Sequence, residues 1–296
     1  MIGFLDGIGQ KLADRWAALL AIPGLLYLAA VTAAVVLGQR HAVSYPAASR
    51  QISAWATSPA LRSAGGAVLV VAAVLAGSVL VGLTAAAGGQ LTEALWTLPG
   101  RRAPARWLAR RRRHRSQRAK AAADDPDAAA AQVRKAIARA DRICVIEAAC
   151  PTWIGDRLRA CGVRIDQAYG LDLAAAWPRL WLIVPDGVRA ELSAARDAFS
   201  SAARLTAWAA LYLVLGIWWW PALPIALITG TTAVIRARQA TGNLADLIEA
   251  AVDLHSHDLA AALGEDQPGP VTPAAGRELT TRMRKSRWDP RSPLAD

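Results

Sequence analysis

The sequence predicts an all-α membrane protein, with four transmembrane helices extended into a mostly helical cytoplasmic domain. Three observations predict it. Uncharged apolar stretches run over Trp16–Gly38 and Ala64–Ala87, and a longer one over Leu205–Ile235, against the about 20 residues a helix needs to cross a bilayer. The chain is 54% hydrophobic, which excludes disorder, and holds three Cys in 296 residues, which excludes a disulfide scaffold. The charge is concentrated. Residues 101–120 hold ten Arg or Lys and no acid, all but one of the net +11. Arg supplies 30 of 34 basic residues, Asn occurs once and about a fifth of the chain is Ala, as GC-rich coding produces. Arg in place of Lys therefore says little about phosphate recognition.

Residues 1–15 place Ile2, Leu5, Ile8 and Leu12 at helical spacing opposite Asp6, Lys11 and Asp14, an interfacial N-terminal helix. Transmembrane helix 1 covers 16–38, with Pro23 in its first turns, where a missing amide is best tolerated. A cleaved signal peptide is disfavoured by the length of the run and by the preceding Asp6 and Asp14. The extracytoplasmic loop, 39–63, carries only Arg40, Arg50 and Arg62 as basic groups. Transmembrane helix 2 covers 64–96. Ser78, Gly82 and Ala86 recur at four-residue steps, a helix-packing face suited to a homo-oligomer. Glu93 reads as a headgroup-level carboxylate rather than an ion ligand, because Trp96 marks an interface three residues on.

The basic cytoplasmic domain, 97–203, opens with Arg101, Arg102, Arg106, Arg110, Arg111, Arg112, Arg113 and Arg115, read as contacts to anionic lipid headgroups. Within a Debye length of such lipid each basic residue contributes about 1 kcal/mol. Nucleic acid is disfavoured as a partner, since only Trp107 interleaves an aromatic with the charge. Asp125 is placed to cap a helix with Pro126 at its first position; that helix runs to about Asp141 and packs back on the basic one. A short strand is a candidate over 143–146, though four residues do not decide between strand and helix. Asp186 reads as the cap of a helix that runs unbroken into the third span.

A transmembrane hairpin, helices 3 and 4, occupies 204–235, broken at Trp218-Trp219-Trp220-Pro221. Each arm has about 15 residues, about 22 Å of helix, short for a hydrocarbon core of about 30 Å. The hairpin therefore either spans with thinning and snorkelling of Arg204 and Arg236, or is re-entrant. Over 236–263 a cytoplasmic amphipathic helix carries Leu244, Leu247, Ile248, Ala251 and Leu254 on one face. Residues 264–296 read as a mostly disordered tail. The positive-inside rule puts both termini and 97–203 in the cytoplasm of a bacterial inner membrane.

Pro151-Thr152-Trp153-Ile154-Gly155, Tyr169-Gly170-Leu171-Asp172, Trp177-Pro178-Arg179-Leu180 and Asp246-Leu247 through Asp253-Leu254-His255 are more specific signals. Their pattern, P-T-x-x-G, Y-G-L-D, W-P-R-L and D-L-x-x-A-x-D-L-H, resembles that of a family of uncharacterised bacterial multispanning membrane proteins. The likeness covers roughly 145–285, and relatives tend to carry Asn where this chain has Asp156. It implies a membrane location and a shared architecture, and carries no activity over.

Chemistry-bearing patterns are few. Cys144, Cys150 and Cys161 lack C-x-x-C spacing and read as reduced packing thiols. His255 and His257 lie two apart on a helix and do not share a face, which disfavours a common metal; His257 pairing with Asp253 is the simpler reading. No P-loop, G-x-S-x-G, H-E-x-x-H or G-x-G-x-x-G occurs. Asp172, Trp177 and Arg179 form either a pocket or a structural corner tied by an Asp172–Arg179 ion pair. No catalytic residue, cofactor or metal is assigned. The expectation is a non-enzymatic membrane anchor or scaffold that binds anionic lipid headgroups, self-associates or presents its cytoplasmic domain to a protein partner. A pore-forming effector and a membrane-embedded enzyme on a lipid or peptide are the alternatives.

Overall fold

Apolar runs, capping residues and a few glycines build a chain of helices, with no strand among the described residues. The structure is a computed structural model. It describes residues 22–39, 42, 46, 49–50, 53, 63–100, 103, 105–124, 130–143, 148–265, 269 and 271–285. In chain order the helices are α1 (Ile22–Leu37), α2 (Ala64–Thr97), α3 (Ala105–Ala121), α4 (Ala130–Ile143), α5 (Trp153–Tyr169), α6 (Leu173–Ile183), α7 (Asp186–Leu215), α8 (Ala222–Ala262) and α9 (Pro273–Met283). They divide into two compact units, one of Met1–Glu93 with Ser200–Ile235 and one of Ala94–Phe199 with Arg236–Asp296.

Small residues and aromatics hold the first unit together. A Cβ on Gly24 of α1 would lie 2.1 Å from the Ser78 carbonyl oxygen of α2, so the two backbones touch there because position 24 has no side chain. Ser78 is fully buried and donates its hydroxyl to Leu75 O. Tyr27 packs edge-on to Tyr212 at 5.3 Å and donates to Leu211 O. The expected break between α7 and α8 is present as a turn over 216–221. Trp219 Nε1 donates to Ala42 O and Gln39 Nε2 to Ile217 O, which ties this turn to the chain after α1.

Two helices are long and apolar enough to cross a membrane, Gly65–Thr97 and Asp186–Leu215; α1 is a shorter apolar helix. Only 11% of the apolar stretch of α2 is buried. Val68, Leu69, Val71 and Leu80 are each more than half exposed. The apolar arm after the turn continues unbroken, as α8, through the amphipathic stretch to Ala262. The interfacial helix expected over 1–15 lies outside the described residues, as do most of the expected 39–63 loop and the Asp125–Pro126 cap.

The second unit has its own core. Ile165 of α5, Leu180 of α6, Val252 and Leu259 of α8, and Leu279 and Met283 of α9 are buried together. α3 and α4 pack as a pair, as expected, and α9 packs on α5 and α6. Four expectations are corrected. The 264–296 stretch is no unstructured tail throughout: Thr272 caps α9 with Pro273 in its first turn, and Leu279 and Met283, four apart, enter the core. Leu254 is 73% exposed, because the face of α8 that turns inward is centred on Ala245, Val252 and Leu259. Asp186 is the first helical residue of α7 rather than its cap, pairing with Arg189. The strand is not formed at Ile143, which ends α4, while 144–147 lie outside the described residues.

Candidate functional site

The sequence motifs occupy helix junctions. Thr152 Oγ1 accepts from Gly155 N at the start of α5 and donates to Trp96 O at the end of α2. A Cβ on Gly155 would stand 2.7 Å from that same carbonyl oxygen. At the other end of α5, Gly170 takes φ +67°, the left-handed conformation that ends a helix, and donates to Asp166 O. Asp172 then caps α6 by accepting from Ala174 N. P-T-x-x-G and Y-G-L-D thus start α5, stop it and start the next helix.

Asp156, next to Gly155, organises the basic helix. Its carboxylate is buried and accepts from three donors: Arg112 Nη1 at 2.6 Å, and the backbone amides of Ala149 and Cys150 at 2.9 and 2.8 Å. Arg112 also donates to Cys150 O, and Arg113 to Ala148 O. Arg112 and Arg113, expected to meet lipid, therefore turn inward, because a buried carboxylate and two open carbonyls need donors. Arg106, Arg110, Arg111 and Arg115 are exposed, and Arg101 and Arg102 lie outside the described residues. Trp107, Arg110, Arg111, His114, Arg115 and Arg118 line one open depression of about 680 Å³. The Arg111 guanidinium sits 5.6 Å over the Trp107 ring.

A second charged set joins α5 to α8. Arg157 pairs with Asp246 and Glu249, Arg164 with Glu249, and Tyr169 donates to Asp253 at 2.8 Å. Acids at 246, 249 and 253 thus meet donors at 157, 164 and 169. That i, i+3, i+7 spacing opposite an i, i+7 pair of arginines was the signal that could have matched the two helices. Between them Cys161 is buried with its thiol against Ala245 O. Burial and the nearby Glu249 push the thiol up to about 12. The bond to Asp253, more than burial, pushes the Tyr169 hydroxyl up. Cys150 is likewise a free buried thiol held up by burial, and Cys144 lies outside the described residues.

Asp172 and Trp177 do come together, with Pro178, Asp166, Arg159 and Arg284 on an open groove of about 740 Å³. Arg179 does not line it. Its guanidinium donates to Ala175 O and Met283 O, stapling α6 to the end of α9, and the expected Asp172–Arg179 pair is replaced by Asp172–Arg284 at 2.6 Å. Arg284 was missed because it lies in the stretch read as a tail. His255 pairs with Asp258 at 3.0 Å rather than His257 with Asp253, whose carboxylate Tyr169 occupies. Ser78 and Gly82 are buried and Ala86 half-buried, and Ser78 faces Gly24. At Ser78 that face packs within the chain, against Gly24 of α1. No family model, curated protein or solved structure matches this chain.

Proposed function

We propose that the chain is a non-enzymatic scaffold of the bacterial inner membrane, inserted through its first unit and presenting its second to a protein partner in the cytoplasm. The observation that carries the reading is α2. Its apolar stretch is only 11% buried, with Val68, Leu69 and Leu80 each more than 65% exposed. An exposed apolar surface of that extent is costly in water, at about 25 cal/mol per Å², and is what lipid covers. The polar groups of the second unit support a scaffold over an active site. Asp156, Arg157, Glu249, Asp172 and Arg179 each hold helices or helix ends together. The groove beside Trp177 and Pro178 is one surface the second unit offers to a protein. The positive charge of α3, after the apolar α2, supports a cytoplasmic placement. Alkaline extraction of membranes carrying the full chain tests the insertion. Retention in the membrane pellet is expected, and quantitative release into the wash would overturn the reading.

A further inference from the structure

We propose that the outer face of α3 docks on an anionic lipid bilayer, Trp107 entering the headgroup layer and Arg110, Arg111, Arg115 and Arg118 meeting the phosphates. The proposal rests on the membrane reading above and deepens it, by naming which part of the basic run meets lipid. On a helix of 3.6 residues per turn, positions 107, 111, 115 and 118 stack on one side with 110 and 114 beside them. Those residues share one open depression and all are exposed, Trp107 at 60% with Leu108 next to it at 40%. The opposite side of the helix is fixed. Arg112 on Asp156 and Arg113 on Ala148 O anchor it, and Ala109 and Ser116 are buried. The helix cannot roll its outer cations inward without breaking those contacts.

Charge decides what covers that face. From Ala94 to Ala123 the chain has no acidic residue, and Arg110, Arg111, Arg115 and Arg118 pair with no acid among the described residues. A polyanion is the complement. A nucleic acid is met by modules that interleave several stacking aromatics with the charge; one indole and one leucine bordering guanidinium groups are the make-up of a helix lying in a bilayer interface. Chain connectivity agrees. α3 begins eight residues after Thr97, the last residue of α2, a reach of at most about 28 Å.

The test uses the full chain in nanodiscs of phosphatidylcholine, or of phosphatidylcholine mixed with phosphatidylglycerol, each with bromine on the acyl chains. Subtracting the emission of a Trp107→Phe chain isolates that indole. Quenching several-fold stronger in the phosphatidylglycerol discs is expected. It should fall to the phosphatidylcholine level in high salt and in R110E/R111E/R115E/R118E, whose helix content by circular dichroism stays unchanged. Equal quenching in both discs, or quenching that survives the four reversals, would overturn the proposal. So would Trp107 emission that answers to duplex DNA and not to lipid charge. If the chain fails alkaline extraction, the membrane reading falls. Co-sedimentation with phosphatidylglycerol but not phosphatidylcholine vesicles then still upholds the docking face, and equal sedimentation sinks it.

Discussion

Asp156 brings together charges that the sequence scatters. Its two oxygens take a guanidinium and two amides while almost wholly out of water, so every donor around it needs an acceptor. Asp156→Asn would turn an NH₂ toward one of those donors and leave Arg112 without its anion. Breaking one partner of a buried pair costs about 3 kcal/mol, and that loss is expected in the denaturation midpoint of the detergent-solubilised chain. Arg112→Met added to Asp156→Asn should recover part of it, because the stranded charge is then gone. Cys161 makes the second residue-scale prediction. Its native thiol ionises at about 12 and a free thiol at about 8.5, so the unfolded chain releases its proton first. The stability from keeping the thiol neutral is complete below about 8.5 and is lost as pH rises toward 12. Stability should therefore decline with pH in that window, and Cys161→Ala should flatten the decline.

Helix ends and crossings carry most of the specificity at the scale of elements. Gly24→Val puts atoms where the Ser78 carbonyl already sits, while Gly65 has open space around it. Overpacking of this kind costs about 1–3 kcal/mol. Gly24→Val should lower the melting temperature of the chain in detergent and Gly65→Val should leave it unchanged. On the α5–α8 contact, Glu249→Gln removes the anion shared by Arg157 and Arg164. A cost of about 2 kcal/mol is expected from leaving charged donors short of a partner. A double-mutant cycle with Arg164→Gln should show coupling, since the two act through one contact. These elements were partly legible in the sequence. Thr152, Gly170 and Asp172 announce helix ends by residue type, and the Trp218–Pro221 break reads directly. Leu254 and Arg179 did not read correctly for physical reasons. An Ala-rich helix has apolar residues all round, so its inward side is set by which positions are small enough to cross, here Ala245. Arg179 reads as a partner of Asp172, seven residues before it, yet its guanidinium goes to Met283 O at the end of α9 and to Ala175 O. α9 itself, a helix of 11 residues with Gly276, gives too weak a periodicity to stand out, and it forms against a core that sequence does not display.

Across the whole molecule, the net charge of +11 separates into roles. Arg112 and Arg113 are structural, whereas Arg110, Arg111, Arg115 and Arg118 remain on the surface. The apolar content separates likewise, since α2 exposes its side chains while Leu180, Leu259 and Leu279 are buried in the second unit. On the proposed reading these two kinds of apolar surface meet different surroundings, lipid for the exposed side chains of α2 and the protein's own core for the buried ones. On the proposed reading α2 crosses a bilayer with the basic run that follows it on the cytoplasmic side. The most direct measurement fuses an activity reporter that works on one side of the membrane only at Ser49, before α2, and at Asp124, after α3. The account predicts opposite sides, Ser49 outside and Asp124 in the cytoplasm. Both positions on one side, or Ser49 in the cytoplasm, would contradict it.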